Sequence, residues 1–214
     1  MDSFEGFILA GGASSRMGTD KARLVLGRQT FIERIAVALS AVTSSVTIVG
    51  LSPEGGNESV NPAGREPGNT HSLPAVPDVF EKWGALGGVH GALAAARAEW
   101  AFVVACDLPF VTGDLFVHLA SQRGDYDAVA PVQADGRPQP LCTLYRPGTC
   151  RAVTEKLIKD GERRPVTLLQ SLRTRWLAFA ELADLKGASR FFENVNTPED
   201  YARAQQEGAK QQAE

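Results

Sequence analysis

The residues best suited to chemistry stand in one run near the start of the chain. Phe7 to Ala10 are apolar and read as the end of a buried strand, and Gly11, Gly12 and Gly18 let the backbone that follows turn sharply and approach a ligand without Cβ interference. Such a loop presents several N–H groups inward. Between Arg16 and Arg34 the cations Arg16, Lys21, Arg23, Arg28 and Arg34 face only two acids, Asp20 and Glu33. The ligand this combination suits is a phosphate. It is not a Walker loop, because Lys21 is followed by neither Ser nor Thr, and it does not fit the GxGxxG dinucleotide pattern. A second candidate is Asp107, which closes the apolar run Trp100 to Cys106 and precedes Leu108-Pro109. A carboxylate at the carboxyl end of a buried strand is poorly explained by packing and suits a cation, so Asp107 is the leading metal ligand. The competing reading of Asp107 is a helix or turn cap.

These residues need elements to position them. Thr30 with Glu33 makes a capping box, and Phe31, Ile32, Ile35, Leu39 and Val42 recur at helical spacing, which predicts a helix over 31–42. Ser45 to Gly50 reads as a second strand. Strand, loop, helix and strand in that order imply a right-handed crossover, with ligands bound beyond the carboxyl ends of the strands. Residues 51–74 are dense in proline and glycine, with four of each, and read as a long surface loop. Ala75 to Asp78 reads as a short strand that delivers Asp78 to the same edge. Beyond it an alanine-rich helix is expected from Gly84 to Ala98, and after Asp107 a helix over 112–122. Strands at 127–132 and 139–146 should pair as a hairpin about Asp135-Gly136, adding an antiparallel element to a mostly parallel sheet. A helix over 149–159, an exposed basic turn at Gly161 to Arg164 and an outer strand over 175–180 follow. Thr197 caps a last helix with Pro198 at its first position, and 205–214 read as a polar, frayed tail.

The chain has 214 residues and is expected to form one domain over 1–214. A net charge of -3 supplies no global attraction to nucleic acid or to an anionic membrane, so an anion site must be a local concentration of positive charge. No run is apolar and long enough to span a bilayer, and the start does not read as a signal peptide, so a cytoplasmic location is expected. Cys106, Cys142 and Cys150 form no metal-type pair and are expected to be reduced thiols. His71, His90 and His118 receive no role.

The run L-A-G-G-x-S-x-R-M-G-x-D-K, residues 9 to 21, resembles the signature of the molybdenum cofactor guanylyltransferase family, within the larger group of nucleoside-triphosphate nucleotidyltransferases. The likeness continues in order through Asp78 ahead of GALGG, CDLP at 106–109, the GERR turn and NVNTPED near the end. It implies a three-layer α/β/α Rossmann-like fold with a mostly parallel sheet, Mg²⁺, and transfer of GMP from GTP to molybdenum-bound molybdopterin with release of pyrophosphate. The partners it implies are GTP, the molybdopterin acceptor and, downstream, a molybdoenzyme or cofactor-delivery protein. Leu9, Ala10 and Gly11 would line the guanine site, Gly12 would also bind the nucleotide, Arg16 and Lys21 would meet the triphosphate, Asp78 would contact the nucleotide and Asp107 would hold Mg²⁺. Arg163 and Arg164 would serve the acceptor, and Asn194 with Asn196 would face the acceptor or the metal. The chain departs from the family in having Gly84-Ala85-Leu86-Gly87-Gly88 for GPLAG, Gln139-Pro140 for a common His-Pro, and no asparagine at Gly50 or Leu51. Alternatives are a cytidylyltransferase acting on another acceptor and a nucleotide-binding module without turnover.

Overall fold

A computed structural model describes residues 3–10, 24–50, 73–80 and 83–211. The first strand, β1 (Phe4–Leu9), is uncharged apart from Glu5 and becomes buried over its last four residues. A small hairpin, β2 (Val25–Leu26) and β3 (Gln29–Thr30), turns at Gly27, whose φ of 67° favours glycine. Sequence periodicity gave no sign of it, since strands of two residues carry no alternation. The first helix, α1 (Phe31–Leu39), starts as expected: Glu33 N donates to Thr30 Oγ1 and Thr30 N to Glu33 Oε2. Next come β4 (Val46–Val49), β5 (Ala75–Val76), α2 (Gly84–Ala95), β6 (Trp100–Ala105), α3 (Gly113–Ser121), β7 (Ala128–Pro131) and β8 (Cys142–Tyr145). The chain continues through α4 (Pro147–Lys159), α5 (Pro165–Gln170), β9 (Thr174–Leu177) and α6 (Pro198–Gln211).

The strands lie in the order β5-β4-β1-β6-β8-β7-β9. Six share one direction and β8 opposes them, pairing antiparallel with β6 on one side and with β7 on the other. The expected hairpin is present, but β8 is also wedged between β6 and β7. Alternation along the strands feeds two cores. Phe7, Leu9, Ala101 and Val103 meet α2, α4 and α5 on one face, whereas Ile8, Phe102 and Val104 meet α1 and α3 on the other. The result is the three-layer α/β/α architecture. A third cluster of Leu26, Phe31, Val195 and Ala204 ties the hairpin and α6 to the second face.

Several element ends differ from those the sequence suggests, each for a local reason. The second helix stops at Ala95 because Ala96 is extended and the N–H groups of Arg97 and Ala98 both turn to Glu5 Oε2, at 2.7 and 3.0 Å. Helix α5 was not expected; Pro165 opens it directly after the basic turn. The last helix carries on to Gln211 through the stretch read as a frayed tail. All three cysteines are free, and burial pushes the thiols of Cys142 and Cys150 up to about 12, where they stay protonated. No helix among the described residues is long and apolar enough to cross a membrane.

Candidate functional site

The carboxyl ends of the strands are linked into one rim by hydrogen bonds that extend the sheet beyond its last paired residues. Gly50 N donates to Val76 O, Ala10 N to Val49 O and Cys106 N to Leu9 O, at 3.0, 2.9 and 3.0 Å. Asp107 O then accepts from Val195 N at 3.1 Å. In this way β5, β4, β1 and β6 line up, and the Asn194–Asn196 segment is stitched on beside Asp107. Val195 is fully buried, Asn194 is exposed and Asn196 half-buried, so the two amides flank an anchored residue at the rim. Thr197 Oγ1 accepts from Asp200 N, and Asp200 Oδ2 accepts from the N–H groups of Asn196 and Thr197, which fixes this segment to the start of α6.

Asp107 itself is half-buried, two residues past the end of β6, every residue of which is buried. Asp78 lies two residues past β5 on the same rim. Its Oδ1 is buried and has no hydrogen-bond partner among the described residues, and burial raises its carboxyl above the ordinary carboxylate range. The wall beneath it is α2, which carries glycine where a side chain would collide. A Cβ on Gly88 would stand 3.3 Å from Leu9 Cδ1, and one on Gly91 would stand 3.1 Å from Val49 Cγ1. Leu9 is 7% exposed, so its side chain belongs to the floor of the rim, and Ala10 is the first residue to emerge from it. Gly11, Gly12, Arg16 and Lys21 lie outside the described residues; the flanking Ala10 and Leu24 are described, and Leu24 packs with the cluster that holds Val195.

The basic turn comes to this rim by a route that chain separation conceals. Helix α4 runs back toward the carboxyl edge, and Glu162 O accepts from Trp83 Nε1 at 3.0 Å at the head of α2. The Arg163 guanidinium covers the Trp83 ring at 4.5 Å. Arg164 is bound by Glu162, with Nε 3.2 Å from Oε1 and Nη2 3.1 Å from Oε2, and these bonds hold the Glu162 carboxyl far below its ordinary value. The two arginines are therefore in different situations: Arg163 is stacked over an indole at the rim, and Arg164 is held by the Glu162 carboxylate. Sequence reasoning passed over Trp83, although an aromatic residue just ahead of a glycine-led helix was visible.

On the opposite side of Asp107 the rim opens into a cleft of about 300 Å³ lined by Gln133, Asp135, Phe179, Ser189, Phe192 and Glu193. It borders the ends of β7 and β9, whose edge is closed by Val132 N donating to Leu177 O at 2.7 Å. Gln139 is buried between these halves; its N–H donates to Pro131 O and its carbonyl accepts from Thr143 Oγ1. Among the described residues no three of His, Cys, Asp and Glu come together.

The open α/β sheet carries Asp78 and Asp107 on the rim beside β1, where folds of this kind bind their ligands. The chain belongs to the MobA-like NTP transferase domain family, whose model matches residues 6–176. A relative described as a probable molybdenum cofactor guanylyltransferase, from Pelotomaculum thermopropionicum, is 35% identical over 199 residues, 93% of this chain and 90% of its own. Among solved structures, molybdopterin-guanine dinucleotide biosynthesis protein A from Archaeoglobus fulgidus superposes with a TM-score of 0.76 at 24% identity, over 96% of this chain and 99% of its own. A 2-C-methyl-D-erythritol 4-phosphate cytidylyltransferase from Thermus thermophilus shares the fold at a TM-score of 0.65 and 17% identity, over 98% and 100%.

Proposed function

We propose that this chain, acting as one domain over 1–214, transfers GMP from GTP to molybdenum-bound molybdopterin and releases pyrophosphate. The observation that carries this reading is the likeness to a guanylyltransferase over nine-tenths of both chains, together with Asp107 standing at the carboxyl end of an entirely buried strand. A phosphate oxygen of the acceptor attacks the α-phosphorus of GTP in line as pyrophosphate leaves. Such a reaction asks the protein to align the two and to neutralise charge, and it needs no covalent side chain.

Arg16 and Lys21 meet the triphosphate, with Gly11 and Gly12 offering backbone N–H groups beside it. Leu9 and Ala10 form the floor on the guanine side, and Asp78 accepts a hydrogen bond from the nucleotide through its buried oxygen. The donors around Asp107 are hard oxygens, its carboxylate with neutral amides near it, which fits Mg²⁺ held mainly by phosphate oxygens and water. Asp107 would hold that ion, aided by Asn194 or Asn196, and the ion supplies neutralisation of the developing phosphate charge. Asn194 and Asn196 also face the acceptor.

The direct test incubates the purified protein with Mg²⁺, the molybdopterin acceptor and each labelled NTP in turn. Transfer from GTP alone is expected; transfer from CTP instead would move the chain to the cytidylyl branch, and binding without transfer would make it a binding module. The Arg163→Ala, Arg164→Ala double variant is expected to raise KM for the acceptor several-fold, on the order of 1 kcal/mol, and to leave KM for GTP nearly as it was. Because the turn rests on Trp83, which opens α2, the opposite split would assign it to the nucleotide.

A further inference from the structure

Asp78 sits in a strap of four residues, Pro77 to Phe80, that lies along a stripe of α2 lacking side chains. A Cβ on Gly87 would stand 2.9 Å from Phe80 O, and one on Gly91 would stand 3.7 Å from both Pro77 O and Asp78 Oδ1. The same construction on Gly88 comes 3.8 Å from Asp78 Oδ1. Beside this stripe stands His90, whose ring meets Phe80 edge-on with centroids 4.8 Å apart and planes at 75°. It is 4% exposed, and neither Nδ1 nor Nε2 has a hydrogen-bond partner among the described residues. Buried polar atoms are almost always bonded, so an imidazole with both nitrogens silent is a feature to be accounted for.

We propose that His90 is a positioning residue for Asp78: the neutral imidazole seats Phe80, and with it the strap, on α2, and protonation of the ring unseats the strap and weakens nucleotide binding. This rests on the reading of Asp78 as a nucleotide contact. A neutral ring brings one N–H donor into an apolar niche. An imidazolium brings two donors and a full charge into a place where neither nitrogen has an acceptor among the described residues, and lifting Phe80 is the motion that gives it water.

The surroundings support the neutral form. From α4, Glu155 and Arg151 act on the ring in opposite senses, the carboxylate favouring the charged form and the guanidinium disfavouring it. From the strap comes Asp78, whose Oδ1 lies by Gly88 and Gly91. The strands packed under α2 contribute apolar side chains, Phe7, Leu9, Val49 and Val103. Burial outweighs the rest and lowers the ring's pKa below its ordinary value. The sign follows: a group whose folded pKa is depressed in this way favours the seated state at neutral pH, and that state is lost as pH falls through the histidine range.

The test measures GTP affinity from about pH 8 to about pH 5.5, a window that spans the ordinary histidine value, in the natural protein, His90→Phe and His90→Leu. The phosphates of free GTP titrate alike in all three, so the difference reports the ring and the strap it seats. The natural protein is expected to lose affinity more steeply on the acid side, by up to about tenfold more per pH unit than either variant. Parallel pH profiles in all three would overturn the proposal, even if the variants bind more weakly throughout, since that pattern is packing alone. Hydrogen exchange at the Val79 and Phe80 amides of the natural protein without nucleotide gives a second reading. Faster exchange on the acid side, following the His90 ring titration seen by NMR, supports an unseated strap; exchange that ignores that titration refutes it. A protein that binds no GTP at any pH would sink the functional reading, while the exchange measurement still decides the strap.

Discussion

Asp107→Asn is expected to leave the melting temperature of the ligand-free protein within a few degrees and to lower Mg²⁺-dependent transfer by about 10²- to 10³-fold or more, the scale of losing one charge-stabilising group from a reacting centre. The substitution keeps the size of the side chain and leaves untouched the backbone bond from Val195 N to Asp107 O that fixes the rim. What it removes is the charge. An amide oxygen is a weaker ligand for a hard dication, so raising Mg²⁺ should recover part of the rate. Thermal unfolding and a Mg²⁺ titration of the transfer rate together decide the matter. An unfolded variant whose residual folded fraction turns over normally would make Asp107 a structural cap and overturn the assignment.

Asp78→Asn should move binding and stability in opposite directions. Without nucleotide the natural carboxylate has a buried oxygen with no partner among the described residues, and burial raises its pKa. A folded pKa above the unfolded one means that the native state holds its proton longer, so stability is lost as pH rises through that window. At neutral pH the Asn variant is therefore expected to melt higher than the natural protein, with the difference closing on acidification. GTP affinity should fall by roughly 10- to 100-fold, corresponding to about 1.5–3 kcal/mol for a lost hydrogen bond to a charged group. Melting curves across pH and a GTP titration test both halves. A variant that melts lower at neutral pH and still binds GTP as before would make Asp78 a fold residue.

Both carboxylates were legible in the sequence because each closes an apolar segment, and the end of a buried strand is a local signal. The capping box of α1 was legible for the same reason. What escaped is what depends on distant partners. The stop of α2 is set by Glu5, 92 residues away from Arg97 in the chain. The meeting of Trp83 with Glu162 spans 79 residues, and it brings to the rim a basic turn that local reading saw only as exposed. The glycines at 87, 88 and 91 were visible as a glycine-led helix start, yet nothing local told that a strap would lie on them. His90 was passed over as an ordinary histidine because its spacing to other candidate ligands meant nothing; its interest comes from two silent nitrogens, which only packing reveals.

The wedged strand β8 bears on the order in which the molecule can be completed as it is synthesised. Strands β1, β4, β5 and β6 are all made by residue 105 and can pair among themselves. From then until Cys142–Tyr145 has emerged, β6 has a bare row of N–H and C=O groups along one side, on a strand apolar throughout. Strand β7, made in the interval, cannot cover that row, because its place is one strand further out. A nascent chain halted between β7 and β8 thus carries a sticky edge, and it is the return of one short antiparallel strand that closes it.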